Sequence, residues 1–280
     1  MEILFIAALI PVAALGYFIY INDIHTEPGG VLAKIFGLGC LSVIPAVIME
    51  MVFHMFFPTD KSTNFLIIFI NTFIAVALIE ETCKWTVAKK FGYNSDSFDE
   101  IYDVIVYSVF ASLGFAAIEN LKYVLNLGLI NAFVRAIYSI PGHACFGVLM
   151  GYYLAKAKIS ANSGNKSLYN RYIVFSVLFP TLAHAMFDAI LFYSRNIGRV
   201  HEPFYFYLFF IALVAVCFVI VRKLSKMQQN LTTGVKKGNI VVPNNENLEV
   251  SNDNIEFCPI CGKNVKGLNY CPYCGIKLKK

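Results

Sequence analysis

Charged side chains are scarce in this chain. Asp, Glu, Lys and Arg together supply 15% of its residues, where a soluble domain carries about 25%. With 58% hydrophobic residues and a mean hydropathy of +0.62, that scarcity excludes an ordinary soluble globular enzyme and places the chain among integral membrane proteins. A basic leader is also missing. Only Met1 and Glu2 precede the first apolar run, 3–21, and the run is too long for a signal-peptide core, so it is expected to remain as a membrane helix. Internal repetition is absent as well: no pair of interrupted helices recurs in two halves, as a transporter built from repeats would show.

What is present is a series of apolar runs at about 3–21, 33–57, 65–89, 102–127, 130–155, 172–193 and 204–221. A hydrocarbon core of ~30 Å needs about 20 helical residues, so the expectation is an all-α, polytopic bundle of about seven transmembrane helices. Pro28-Gly29-Gly30, the polar stretch 58–64 and the Ser/Asn/Gly segment 160–167 separate runs. Basic residues set the orientation. Lys89 and Lys90, then Lys156, Lys158, Lys166 and Arg171, then Arg222, Lys223 and Lys226 mark cytoplasmic ends, leaving the N-terminus outside the cell membrane. Arg195 and Arg199 run against that assignment; the tail cysteines support it.

The domain division follows: a membrane domain over 1–224, a polar Asn-rich linker over 225–256, and a small module over 257–280. That module carries Cys258-Pro-Ile-Cys261-Gly and Cys271-Pro-Tyr-Cys274-Gly. Each knuckle aims two thiolates at one point, and four soft ligands suit a tetrahedral structural zinc, as in a minimal zinc ribbon. Paired disulfides would be the alternative, which a reducing cytosol disfavours. A closed Cys₄ site has no open position, so this zinc is not expected to be catalytic. Lys263, Lys266, Lys277, Lys279 and Lys280 make the module basic. Without a basic recognition helix it reads as a solvated or protein-docking face rather than a nucleic-acid binder. Cys40, Cys83, Cys145 and Cys217 lie in apolar runs and read as small hydrophobes.

Seven polar side chains sit at membrane depth: Glu80, Glu81, Lys84, Glu119, His143, His184 and Asp188. A charge at the centre of a spanning helix costs roughly 2.5–3.5 kcal/mol, so five facing lipid would cost on the order of 10 kcal/mol or more. They are therefore expected to face one another in a hydrated interior. Glu80 and Glu81 lie four and three residues before Lys84, on one helix face. Two adjacent carboxylates in low dielectric do not both ionise easily. Lys84 can hold one as carboxylate while the other keeps its proton, the split that a general base with an acid partner requires. The same trio could instead be an ion pair that docks helices. His184 and Asp188, four apart, point the same way, and Gly147 and Gly151 lie on the His143 face, where another helix can approach closely. Two histidines among carboxylates suit a catalytic divalent metal such as zinc, or a metal-free site in which a Glu activates water and the histidines stabilise an oxyanion.

Other polar groups have plainer readings. Glu50 and His54, four apart but toward the outer end, read as a helix contact. Arg135 reads as a side chain snorkelling to the outer interface. Asp99, Glu100 and Asp103 read as acids at a helix N-terminus.

With these residues in view, the membrane part resembles the PrsW family of intramembrane proteases, related to the wider group that includes the CAAX-processing prenyl endopeptidases. Glu80-Glu81-x-x-Lys84 is similar to the family's paired-glutamate motif. Phe98-Asp99-Glu100-Ile101-Tyr102-Asp103-x-x-Val106-Tyr107, followed by Gly114-Phe115-x-x-x-Glu119-Asn120, is similar to its second block. His143 and His184-x-x-x-Asp188 match the third and fourth in type and order. The CAAX-processing relatives carry His where Glu119 stands and Asn where Asp188 stands. The resemblance implies hydrolysis of peptide bonds in membrane-protein substrates within the lipid bilayer, with an anti-sigma factor as the family's substrate. It also implies Glu80 or Glu81 as the base that activates water, with Glu81 the orienter. His143 and His184 become metal ligands or oxyanion stabilisers. Glu119 and Asp188 become further ligands or supporting carboxylates, and Lys84 holds the pair's charge. The rival reading is a proton- or ion-coupled transporter using the same buried groups.

Overall fold

A computed structural model of the protein describes residues 2–23, 26–58, 62–94, 101–162, 165–198 and 204–236. The four cysteines of the expected zinc module, and Asp99 and Glu100, lie outside the described residues. Among the described residues every regular element is helical: α1 (Glu2–Ile21), α2 (Gly29–Leu41), α3 (Val43–His54), α4 (Phe65–Thr72), α5 (Leu78–Val87), α6 (Asp103–Ile137), α7 (Ser139–Asn162), α8 (Lys166–Asn196) and α9 (Phe204–Lys236). Short π-helical segments, Phe73–Ala77 and Ala88–Tyr93, flank α5. Among the described residues, six apolar stretches are long enough to cross a bilayer: Glu2–Ile21, Gly29–His54, Phe65–Tyr93, Asp103–Ala161, Lys166–Asn196 and Phe204–Ser225. α9 continues to Lys236, into the stretch read from sequence as linker.

Local chemistry explains the breaks. The run 33–57 is two helices because Pro45 has no N–H to give the carbonyl four residues back. Ser42, between α2 and α3, donates its hydroxyl to the carbonyl of Gly39 at 2.7 Å. Asn64 starts α4 by accepting from the N–H groups of Leu66 and Ile67, and Asn165 starts α8 by accepting from that of Leu168.

The central feature is a helical hairpin within the 59-residue stretch. Gly128 has φ 80° and ψ −169°, a conformation that side-chain-bearing residues rarely adopt. Beyond it the chain returns antiparallel to the first part of α6. Arg135 reaches Asn120, a Cβ on Gly147 would lie 2.8 Å from Cα of Val109, and one on Gly151 would lie 2.7 Å from Cα of Ile105. Each of these pairs is centred within a residue of position 128. The turn falls in the gap between the apolar runs 102–127 and 130–155.

The obstruction at Gly147 is backbone, which cannot rotate aside. Gly147→Val is expected to destabilise the bundle by about 1–3 kcal/mol, read as a lowered thermal midpoint in detergent. Val at the exposed Leu129 position, beside the turn, is expected to leave that midpoint in place. The core assembled around the hairpin is apolar and densely aromatic. Phe187, Phe206 and Phe210 pack ring to ring beside Tyr138.

Candidate active site

α5 owes its character to a cluster of charge in an otherwise apolar span. The π-helical segment Phe73–Ala77 just before it inserts a wide turn, a feature that recurs at functional sites. One turn later Glu80, Glu81 and Lys84 are all buried, Glu81 and Lys84 completely. Burial without partners would be prohibitive, and each has one. Lys84 Nζ lies 2.8 Å from Glu80 Oε2, 2.8 Å from Glu81 Oε1 and 3.1 Å from His143 Nδ1. The ammonium has three protons and three acceptors. It uses them all.

α7 brings His143 to this point from the far arm of the hairpin, and α6 meets it with Glu119. Because Nδ1 of His143 accepts from Lys84, its Nε2 carries the proton and donates to Glu119 Oε2 at 2.8 Å. α8 supplies the fourth wall. His184 Nδ1 lies 2.9 Å from Glu81 Oε1 and its Nε2 lies 3.3 Å from Asp188 Oδ2. Both nitrogens thus face carboxylates, which suits two ring protons, or an ion in place of one of them. The two imidazoles are 5.5 Å apart, and Phe146 stacks on His184 at 4.7 Å, fixing its ring plane. Phe115 lies against Lys84 Nζ at 4.3 Å.

The structure therefore brings all seven sequence-predicted groups into one connected cluster, drawn from α5, α6, α7 and α8. Glycines 147 and 151 give the close approach expected of them, with α6 as the helix that approaches.

Three further polar groups border the cluster. Arg135 does not snorkel. Its Nη2 lies 3.4 Å from Glu119 Oε1, its Nε donates to Asn120 Oδ1 at 2.8 Å, and its guanidinium covers the ring of Tyr123 at 4.2 Å. Asn120 is fully buried and donates to the backbone carbonyl of Ala8 in α1 at 2.7 Å, tying that helix to the cluster. Glu50 lies within electrostatic reach of Glu80, Glu119, Lys84 and His184, and its buried Oε1 has no hydrogen-bond partner. The signal for Arg135 was a glycine in the gap between two runs, which folds the arm back onto Asn120. The cysteines match their reading: Cys40, Cys83, Cys145 and Cys217 are free, the last two buried. Asp103 opens α6, as expected of a first-turn acid.

Two overlapping sets of ligand atoms could hold a metal. They are Glu80, Glu81 and His184, and Glu80, Glu119 and His143, the atoms of each set lying within 4.8 Å of one another. Carboxylate and imidazole donors suit a divalent ion such as zinc. Buried Glu81 Oε2 has no hydrogen-bond partner and is a ligand atom already in place. Glu80, Glu81, Glu119 and Asp188 surround Lys84, Arg135 and His184, so a divalent ion in place of a His184 proton is compatible with the charges present. The residues fit.

The profile of the "PrsW family intramembrane metalloprotease" matches residues 27–217. "Protease PrsW" of Oceanobacillus iheyensis is 38% identical over 207 residues, covering 74% of this chain and 91% of that protein. The protein of the same name from Bacillus subtilis (strain 168) is 33% identical over 202 residues, 72% of this chain and 88% of its own. That of Clostridioides difficile (strain 630) is 34% identical over 193 residues, 67% and 79%. No solved structure matches the chain. The matched segment holds the whole buried cluster from Glu50 to Asp188, and on that basis the chain belongs to the PrsW family of intramembrane metalloproteases.

Proposed function

We propose that the buried cluster is the proteolytic site, with Glu80 as the general base and Glu81 as its orienter. Family membership makes the chain an intramembrane protease rather than an ion-coupled transporter. The observation that carries the site assignment is the unbroken contact chain from Asp188 through His184, Glu81, Lys84 and His143 to Glu119. Glu81 Oε1 is clamped by both Lys84 and His184, whereas Glu80 is the less enclosed carboxylate, its side chain 8% exposed against 0%. A fixed acid orients and a freer one exchanges protons.

Hydrolysis then runs as follows. Glu80 removes a proton from water as the water oxygen bonds to the scissile carbonyl carbon, whose π electrons move to its oxygen. As that carbonyl reforms, the C–N bond breaks and the leaving amine takes the proton from Glu80. His184, held by Glu81 and Asp188, and His143, beside Glu119, would hold the family's metal, each ring giving a nitrogen lone pair in place of the proton or lysine contact it has here. What a divalent ion supplies in such a set is Lewis acidity toward the carbonyl and toward water. Lys84 keeps the glutamate pair charged and in place.

The substrate is another membrane protein, unwound locally so that its backbone enters the site. An anti-sigma factor is the substrate class we favour. The 59-residue stretch is read as two crossings, since a straight helix of that length would run on the order of 90 Å at ~1.5 Å per residue against a ~30 Å core. The total becomes seven, with the N-terminus outside and the C-terminus in the cytoplasm. The cysteines Cys258, Cys261, Cys271 and Cys274 are assigned a structural zinc, and their module a protein-docking role.

The test combines cleavage of a co-expressed single-span substrate with metal analysis of the purified full chain. Two metals per chain are expected. His184→Ala should lose one together with activity, while Cys258→Ser with Cys261→Ser should lose the other and largely keep activity. A metal count that His184→Ala leaves unchanged would contradict the intramembrane metal assignment.

A further inference from the structure

The cluster has many hydrogen-bond donors, and nearly all are committed. Lys84 directs its three protons at Glu80, Glu81 and His143. His143 faces Lys84 and Glu119. His184 faces Glu81 and Asp188. If either imidazole binds a metal, that nitrogen ceases to be a donor altogether. In neither state do the histidines offer an N–H to the negative oxygen that forms when water adds to a peptide carbonyl.

Arg135 differs. Its Nε is anchored to Asn120, which is anchored in turn to Ala8, and Tyr123 supports the guanidinium plane. Its Nη2 is close enough to Glu119 for an ion pair, at 3.4 Å, yet it is buried with no aligned hydrogen-bond acceptor. It also stands where the site is less enclosed. The side chains of Arg135, Glu119 and Asp188 are 13%, 21% and 20% exposed, against 5% for His143 and His184 and 0% for Lys84. Glu119, which the guanidinium touches, offers a carboxylate oxygen within 4.8 Å of one from Glu80, so Arg135 stands one side chain away from the proposed base.

We infer that Arg135 is a further catalytic residue, whose Nη2 donates a charge-assisted hydrogen bond to the carbonyl oxygen of the scissile bond. The inference rests on the proteolytic reading of the site. As the water oxygen bonds to the carbonyl carbon, with its proton going to Glu80, the C=O π pair becomes a lone pair on oxygen. The guanidinium then faces a full negative charge. The C–N bond breaks as that pair returns and the proton passes to the amine, so Arg135 neither gains nor loses a proton. A preorganised donor of this kind acts most strongly in the transition state.

The experiment uses the full chain in detergent with a single-span substrate and a peptide phosphinate that mimics the tetrahedral intermediate. Arg135→Met is expected to lower kcat by about a hundredfold or more, with KM nearly unchanged, and to weaken phosphinate binding by a similar factor. Because Glu119 also touches Arg135, Glu119→Gln is compared with Glu119→Gln plus Arg135→Met, a pair that leaves no carboxylate stranded. Phosphinate affinity, which needs no turnover, should fall again in the double variant. Wild-type kcat in Arg135→Met, or no further loss of phosphinate affinity in the double variant, would overturn the inference and leave Arg135 a holder of Glu119. A wild-type protein that cleaves nothing and ignores the phosphinate would instead sink the proteolytic reading itself.

Discussion

Glu80→Gln is expected to abolish detectable cleavage, a loss of at least about a thousandfold, in a protein that still inserts and purifies as a single species. The substitution is isosteric, and it leaves the Lys84–Glu81 pair at 2.8 Å intact, so the cluster keeps its main buried ion pair. It removes the group assigned to take the proton from water, and without that base the attacking water stays a weak nucleophile. Glu81→Gln should lose as much activity by another route. Lys84 and His184 both depend on Glu81 Oε1, so stability is expected to fall alongside turnover. His143→Ala and His184→Ala belong with these, since each cuts the contact chain that joins the glutamates to Glu119 and Asp188. Immunoblot of a co-expressed substrate reads activity, and size-exclusion chromatography with a thermal melt reads folding. Retained cleavage in Glu80→Gln and Glu81→Gln alike would remove both glutamates from the chemistry.

That the seven groups would meet was legible because the bilayer is a harsh solvent. An Asp or Glu at the surface of a soluble helix means little, but Glu80, Glu119 and Asp188 inside spanning runs have few affordable positions except against one another. Helical spacing added the local detail: Lys84 reaches both glutamates because three and four residues bring side chains onto one face, and His184 reaches Asp188 for the same reason. Geometry set by turns was not legible. Arg135 looks interfacial in a linear count from the start of its run, and becomes interior only because Gly128 folds the arm back against Asn120. Depth along one axis ranks residues by level, but it does not say which way a helix points after a kink. The tautomer of His143 was also out of reach, since it follows from Lys84 sitting at Nδ1, a contact between groups 59 residues apart.

Lys84→Met tests whether this cluster is held together by its central cation. Methionine matches the length and apolar stem of lysine, so packing against Phe115 survives. What is lost is the ammonium that three acceptors share. Glu80 and Glu81, adjacent and buried, would then face each other's charge with no fixed cation between them, and His143 Nδ1 would lose its donor. Removing one member of a buried ion pair costs about 3–5 kcal/mol, mainly through the charge left behind. The expected result is a sharply lowered thermal midpoint or loss of the protein from the membrane. Adding Glu81→Gln should recover much of the stability, because one stranded charge disappears, without restoring cleavage. Recovery of folding would show that Lys84 is needed to offset the charge of the glutamate pair; the lack of cleavage follows from Glu81→Gln alone. If Lys84→Met alone folded and cleaved like the wild type, the charge balance argued for this site would be wrong, and the contacts at 2.8 Å would be incidental to it.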